Sequence, residues 1–230
     1  MEQRPEHFAW QTQSPYVADR ERELVQAAFL PLGRRVLDVG CGHGATLRHL
    51  GAPSGAVGVD VAPERVAFAA RAVPECRFLV ADGAQLPFAA GSFDQVLIRD
   101  VLHHVADPGP LLAECDRVLD RGGRLDVLEP CRYNPLIFMH GLLDAHERLE
   151  LRSTRSYLHR LISARFDVVR VTTHQAFPFH RVLFHPRVGA RSVANRALVR
   201  WWLGAVEATA DRLLPSWMHA YLHLRAHCRR

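Results

Sequence analysis

Between Arg35 and Leu128 the chain alternates short apolar runs with helical stretches. The apolar runs are Arg35–Val39, Ala56–Asp60, Arg77–Ala81, Phe93–Ile98 and Arg124–Leu128. The helical patterns are Ala45–Leu50, an alanine-rich stretch from Pro63 to Val73, and Pro110–Leu119. A strand that is apolar along its whole length leaves no face for water, so helices must cover both faces of the sheet it joins. Alternation of this kind builds βαβ units and a doubly wound parallel sheet. Ligands of such sheets bind beyond the carboxyl ends of the strands, where strand order reverses. The turn after the first run is therefore the place to look for a site.

The flanks extend this frame. Residues 17–30 read as an amphipathic helix closed by Pro31 and Gly33. Phe166–Thr172 and Tyr221–His227 alternate like late strands. Between them Val193, Ala194, Ala197, Leu198, Trp201 and Ala205 share one helix face at 3/4 spacing. The expected organisation is a core over 1–177 and a basic helical cap or lid over 178–220. Residues 221–230 then return as the last strand of the core sheet.

Charge and composition remove several function classes. All 29 basic residues are arginine, which excludes a Schiff-base or P-loop lysine. With 48 % hydrophobic and 23 % charged residues the chain is neither disordered nor a polytopic membrane protein. The five cysteines (41, 76, 115, 131 and 228) form no CxxC pair, and no HExxH occurs, so no metal site is expected. The start, Met1 to His7, is polar and acidic rather than a leader, and no long apolar run follows. These features suggest a cytoplasmic protein.

The net charge of +5 is concentrated in the tail, where residues 178–230 carry nine arginines against two acids. This segment reads as a solvated cap, as a lid for an anionic or lipid-like acceptor, or as a membrane-peripheral patch. Trp201, Trp202 and Trp217 with Arg191, Arg196 and Arg200 suit the last. Nucleic acid is not expected, because basic and aromatic residues interleave only here.

The first βα turn carries the chemistry. In Val36-Leu37-Asp38-Val39-Gly40-Cys41-Gly42-His43-Gly44-Ala45, glycines at the strand exit let a ligand approach the backbone. Gly40-x-Gly42-x-x-Ala45 also fits a relaxed dinucleotide fingerprint. Asp38 argues against that reading: a carboxylate there attracts a cation and repels a pyrophosphate. Asp60 closes the second strand, 20 residues after Gly40, where a carboxylate takes ribose hydroxyls. Asp82 follows the third strand and can accept from an adenine amino group, with Gly83 leaving room for the base. Three acids at three successive strand ends describe a site for adenosine joined to an ammonium group.

Other segments strengthen the pattern: Val57–Asp60, Ala81-Asp82-Gly83-Ala84-Gln85-Leu86-Pro87-Phe88, and Ser92-Phe93-Asp94-Gln95-Val96 through Leu102-His103-His104-Val105. Arg117-Val118-Leu119 before Gly122-Gly123 completes it. With Val36–Gly44, these segments resemble the class I S-adenosylmethionine-dependent methyltransferases. The similarity is to the small-molecule branch containing the ubiquinone and menaquinone methyltransferases, and it covers residues 16–130.

The resemblance implies a seven-stranded, mostly parallel sheet with an antiparallel last strand and S-adenosylmethionine as cofactor. By position, Asp38, Gly40, Cys41 and Gly42 would hold the methionine moiety, Asp60 and Val61 the ribose, and Asp82 and Gly83 the adenine. Arg99 would lie beside the methionine moiety, where the family usually has a small or polar residue. Tyr16 would close over the cofactor. The acceptor is expected to be an apolar or aromatic metabolite, a lipid or quinone precursor or a secondary metabolite. His103 and His104 are the catalytic candidates, with Glu129 and His140 near the same sheet edge. A non-catalytic cofactor-binding scaffold and an NAD-linked oxidoreductase are the alternatives.

Overall fold

A computed structural model of the chain describes residues 5–143, 151–179 and 196–229. Seven strands form one sheet in the order β3-β2-β1-β4-β5-β7-β6. They are β1 (Val36–Val39), β2 (Val57–Asp60), β3 (Arg77–Val80), β4 (Phe93–Arg99), β5 (Leu119–Pro130), β6 (Phe166–His174) and β7 (Tyr221–Cys228). β1 to β5 run parallel, whereas β7 lies antiparallel between β5 and β6. This is the sheet expected from the sequence. The order reverses between β1 and β4, so a crevice opens beyond their carboxyl ends.

Helices α1 (Pro5–Gln13), α2 (Pro15–Phe29), α3 (Ala45–His49), α4 (Pro63–Ala72), α5 (Gly109–Val118), α6 (Pro135–Leu143), α7 (Arg155–Ser163) and α8 (Ala197–Leu213) surround it. One apolar layer joins Leu111, Leu112 and Cys115 of α5 and Leu158 and Ile162 of α7 to Leu37, Val59, Val96 and Val127 of the sheet. The opposite layer joins Leu24, Val25 and Phe29 of α2 to Val36, Leu47, Leu97 and Leu128. Both layers are needed because every residue of β1 and β2 is buried.

Several boundaries differ from the sequence expectation. The helix read at 17–30 starts at Pro15, a residue suited to a first helical turn. α1 precedes it and was not anticipated; Phe8 and Trp10 hold it against the body. Residues 121–123 read as a turn before the fifth strand, but β5 already begins at Leu119. Phe93 pairs with Leu119 and Gln95 with Arg124, so these residues bulge out, with Gly122 at φ +78°. α8 occupies the cap segment with Leu203, Glu207 and Ala210 turned inward. The face carrying Leu198, Trp201 and Ala205 is turned outward, whereas Val193 and Ala194 lie outside the described residues.

Beneath the sheet, Asp126 gathers Gln95, Arg124, His223 and Arg225. Arg225 also donates to the Ala28 carbonyl at 3.0 Å, so this network fixes the exit of α2.

Candidate active site

The site is assembled at the carboxyl ends of β1, β2 and β4. Asp38 on β1 is 1 % exposed, and neither of its carboxylate oxygens accepts a hydrogen bond. Burial pushes its pKa up to about 7; Arg99 opposes this and Asp60 adds to it. Buried carboxylates are normally matched with donors, so an unmatched one at a strand end marks a place for a cationic ligand group.

The glycine turn lies directly above. Gly40 has φ +75°, and a Cβ there would meet Val101 Cγ2 at 2.4 Å. Gly42 has φ +53° with nothing within 4 Å of a Cβ position, leaving an open cradle beside its backbone. The amides of Gly40 and Cys41 both donate to the Val59 carbonyl, at 2.8 and 2.9 Å. Cys41 is buried and its thiol is held well above its usual range by burial, then by Asp38 and Asp60. It fills space and is no nucleophile at neutral pH.

Asp60 clamps this turn. Its Oδ2 accepts the Gly42 N–H at 2.9 Å and its Oδ1 accepts the Ala62 N–H at 3.0 Å. A carboxylate oxygen accepts more than one bond, so each retains capacity for a hydroxyl. Val61 stands beside it, 65 % exposed. Asp82 is exposed, and its Oδ1 accepts the Ala84 N–H at 2.9 Å. The space at Gly83 serves packing: a Cβ would meet Leu111 Cδ1 at 3.0 Å and Val39 Cγ1 at 3.1 Å.

Two predicted residues are engaged with neighbours that the sequence did not pair with them. Arg99 is buried at the end of β4 and bonds to Glu21 of α2, with Asp100 at 3.5 Å. Glu21 itself was missed. The signal was available: it interrupts the buried stripe Val17, Leu24 and Ala28 at helical spacing. Tyr16 is 4 % exposed among Trp10, Val17 and Leu203. Burial and then the charge of Glu207 on α8 hold its phenol far above the usual range.

A short 3-10 turn, Leu102–His104, follows β4. Glu129 of β5 accepts the N–H groups of Val101 and Leu102, both at 2.8 Å, and of His103 at 3.3 Å. It also meets His103 Nδ1 at 2.7 Å. His103 is thereby buried and fixed, whereas His104 is exposed, their ring centroids 4.0 Å apart. Val101 links this turn to Gly40. His140 lies on α6, and its side chain falls outside the described residues. Among the described residues no group of three His, Cys, Asp or Glu side chains could hold a metal ion.

Residues 37–127 match a family model described as a methyltransferase domain. The demethylmenaquinone methyltransferase of Thermus thermophilus is 34 % identical over 166 residues, covering 68 % of this chain and 73 % of that protein. The chain belongs to the S-adenosylmethionine-dependent methyltransferases of class I.

A ubiquinone biosynthesis O-methyltransferase of Xanthomonas axonopodis is 34 % identical over 151 residues, 59 % of each chain. Across the curated relatives the matched share of their own length runs from 30 % to 73 %. A possible histamine N-methyltransferase of Thermotoga maritima superposes with a TM-score of 0.67, 18 % identity and coverage of 96 % and 94 %. At that identity the likeness concerns the fold alone. The family assignment sets aside the NAD-linked alternative.

The family's cofactor suits the residues present. Asp38 offers an unmatched buried carboxylate, and the turn at Gly42 an open cradle. An aminoacyl group carrying an ammonium fits the first; the second lets a ligand approach the main chain.

Proposed function

We propose that this methyltransferase acts on an apolar or aromatic small molecule of the quinone-precursor type. The observation that carries the cofactor half of this reading is Asp38, buried without a hydrogen-bond donor beneath the glycine turn. Asp38 would pair with the ammonium of S-adenosylmethionine, and Gly40, Cys41 and Gly42 would bring the main chain close to it. Asp60 and Val61 would take the ribose, and Asp82 and Gly83 would border the adenine. Arg99 would remain beside the methionine moiety, held by Glu21, and Tyr16 would close the site from α2. The cofactor supplies an electrophilic methyl group on a sulfonium, so the protein's task is mainly orientation and exclusion of water.

The acceptor half rests on the named relatives of menaquinone and ubiquinone biosynthesis and on the histidine pair. His104, exposed on the turn that follows β4, would act as the base and draw a proton from an acceptor hydroxyl or activated carbon. His103 is a positioning residue, locked by Glu129 against the ring of His104. α8 and the turn after it would roof the acceptor side.

Calorimetric titration with S-adenosylhomocysteine, with NADH as control, tests the first half; binding of NADH alone would overturn it. Turnover of a set of quinone-type phenols tests the second. His104→Ala is expected to lower kcat about 100-fold, within the usual range for a general base, and leave S-adenosylhomocysteine affinity unchanged. Glu129→Gln is expected to lower kcat less and to shift the pH–rate profile. If His104→Ala retains full turnover on every accepted phenol, the base assignment fails.

A further inference from the structure

The outward side of α8 is a part of the surface that the methyl-transfer site does not explain. Leu198 is 82 % exposed, Trp201 73 %, Trp202 59 % and Leu213 78 %. Trp217, in the turn that follows, is 60 % exposed. Trp201, Trp202, Val206, Leu213 and Phe177 border a shallow groove of about 470 Å³. Side chains of this size are rarely left in water without a partner.

The charges are sorted with equal clarity. The tail's two acids both face inward: Glu207 is fully buried 2.8 Å from Arg20, and Asp211 accepts the Ala176 N–H at 2.6 Å. Arg196, Arg200 and Arg212 are exposed, and among the described residues none of them has a carboxylate partner. The outer surface of α8 is therefore aromatic and apolar, with Arg212 on the same side as Trp201 and with Arg196 and Arg200 exposed at its first turn, while the acids sit on the opposite side, Glu207 fully buried and Asp211 half-buried.

We propose that this face docks on an anionic lipid bilayer. Tryptophan settles at the boundary between headgroups and acyl chains, and arginine stems bury while their heads reach phosphate. α8 has 17 residues, long enough to lie in the interface plane. Among the described residues no helix is long and apolar enough to cross a membrane, so this contact is peripheral. A second copy of the same face fits less well, because it would set arginine against arginine. The surface lies on the opposite side of α8 from Leu203, Glu207 and Ala210, so the inference is independent of the acceptor's identity.

The test is co-sedimentation of the full chain with two vesicle types: phosphatidylglycerol mixed with phosphatidylcholine, and phosphatidylcholine alone. The protein is expected to pellet with the mixed vesicles, with tryptophan emission shifted to the blue and quenched by brominated acyl chains. Added salt should weaken binding, because the arginine contribution is screened. Trp201→Ala/Trp202→Ala is expected to reduce partitioning at least about tenfold, and Arg212→Gln about fivefold. S-adenosylhomocysteine affinity of these variants should equal that of the parent chain, which shows that they fold. Absence of vesicle binding at low salt overturns the proposal. So does binding that the tryptophan pair does not affect, or self-association in ultracentrifugation that the tryptophan variant abolishes while the parent ignores vesicles.

Discussion

The site of Asp38 favours the neutral carboxyl in the empty protein and would favour the ionised one with an ammonium bound. Burial raises its pKa to about 7 against an ordinary value of 3.8. The folded chain thus binds a proton more tightly than the unfolded chain between these values, so this group makes stability fall as pH rises through that window. Above about pH 7 the carboxylate is ionised, buried and unmatched. Asp38→Asn is therefore expected to raise the thermal midpoint of the ligand-free protein at pH 8, and to change it little at pH 4. The ligand reverses the preference, because an ammonium needs the ionised form. S-adenosylhomocysteine affinity should fall about tenfold for each pH unit below 7, and Asp38→Asn should lose that dependence together with most of the affinity. Calorimetry at a series of pH values checks both. A flat affinity profile in the parent chain would show that the ammonium lies elsewhere.

At the scale of elements, the glycine turn makes a sharper claim than its fingerprint. Gly40 and Gly42 look interchangeable in the sequence, but their surroundings differ. Gly40→Ala would drive a methyl into Val101 and disturb the turn that holds His103. Gly42→Ala meets open space and carries only the strain of φ +53°, about 1 kcal/mol. The expected outcome is loss of both stability and cofactor binding for Gly40→Ala. Gly42→Ala should keep a near-normal denaturation midpoint and bind S-adenosylhomocysteine weakly, because its methyl occupies the cradle. Equal destabilisation of both variants would remove the distinction. The strands and this turn could be read from sequence because their signals are local: apolar runs, acids at their ends and glycines between. The Glu129–His103 bond could not be read in that way. It depends on register, with Arg99 opposite Leu128, which brings Glu129 level with the turn that leaves β4. α1 was unreadable for a related reason, since Phe8 and Trp10 have meaning only once the body they pack against exists.

Across the whole molecule, the cap is tied to the core through adjacent residues of one helix. On α2, Arg20 reaches Glu207 of α8 at 2.8 Å and Asp211 at 3.8 Å, while Glu21 bonds to Arg99 beside Asp38. Spacing alone placed a helix in the tail without saying which side packs, because apolar residues occur all round it. The two acids decide, by turning toward Arg20. Burial keeps the Glu207 pKa raised, with Arg20 pulling the other way. Removing that arginine leaves a fully buried carboxyl without its cation, a change that typically costs about 3–5 kcal/mol. Arg20→Ala is expected to lower the urea midpoint and to open α8 to limited proteolysis before the core unfolds. Glu207→Gln removes the charge but keeps the shape, so it should be nearly neutral alone and should restore most of the loss when combined with Arg20→Ala. A double-mutant cycle by urea denaturation measures this coupling. Full additivity of the two changes would mean that the ion pair does not hold the cap, and that Leu203 and the aromatic cluster around Trp10 and Tyr16 do so alone.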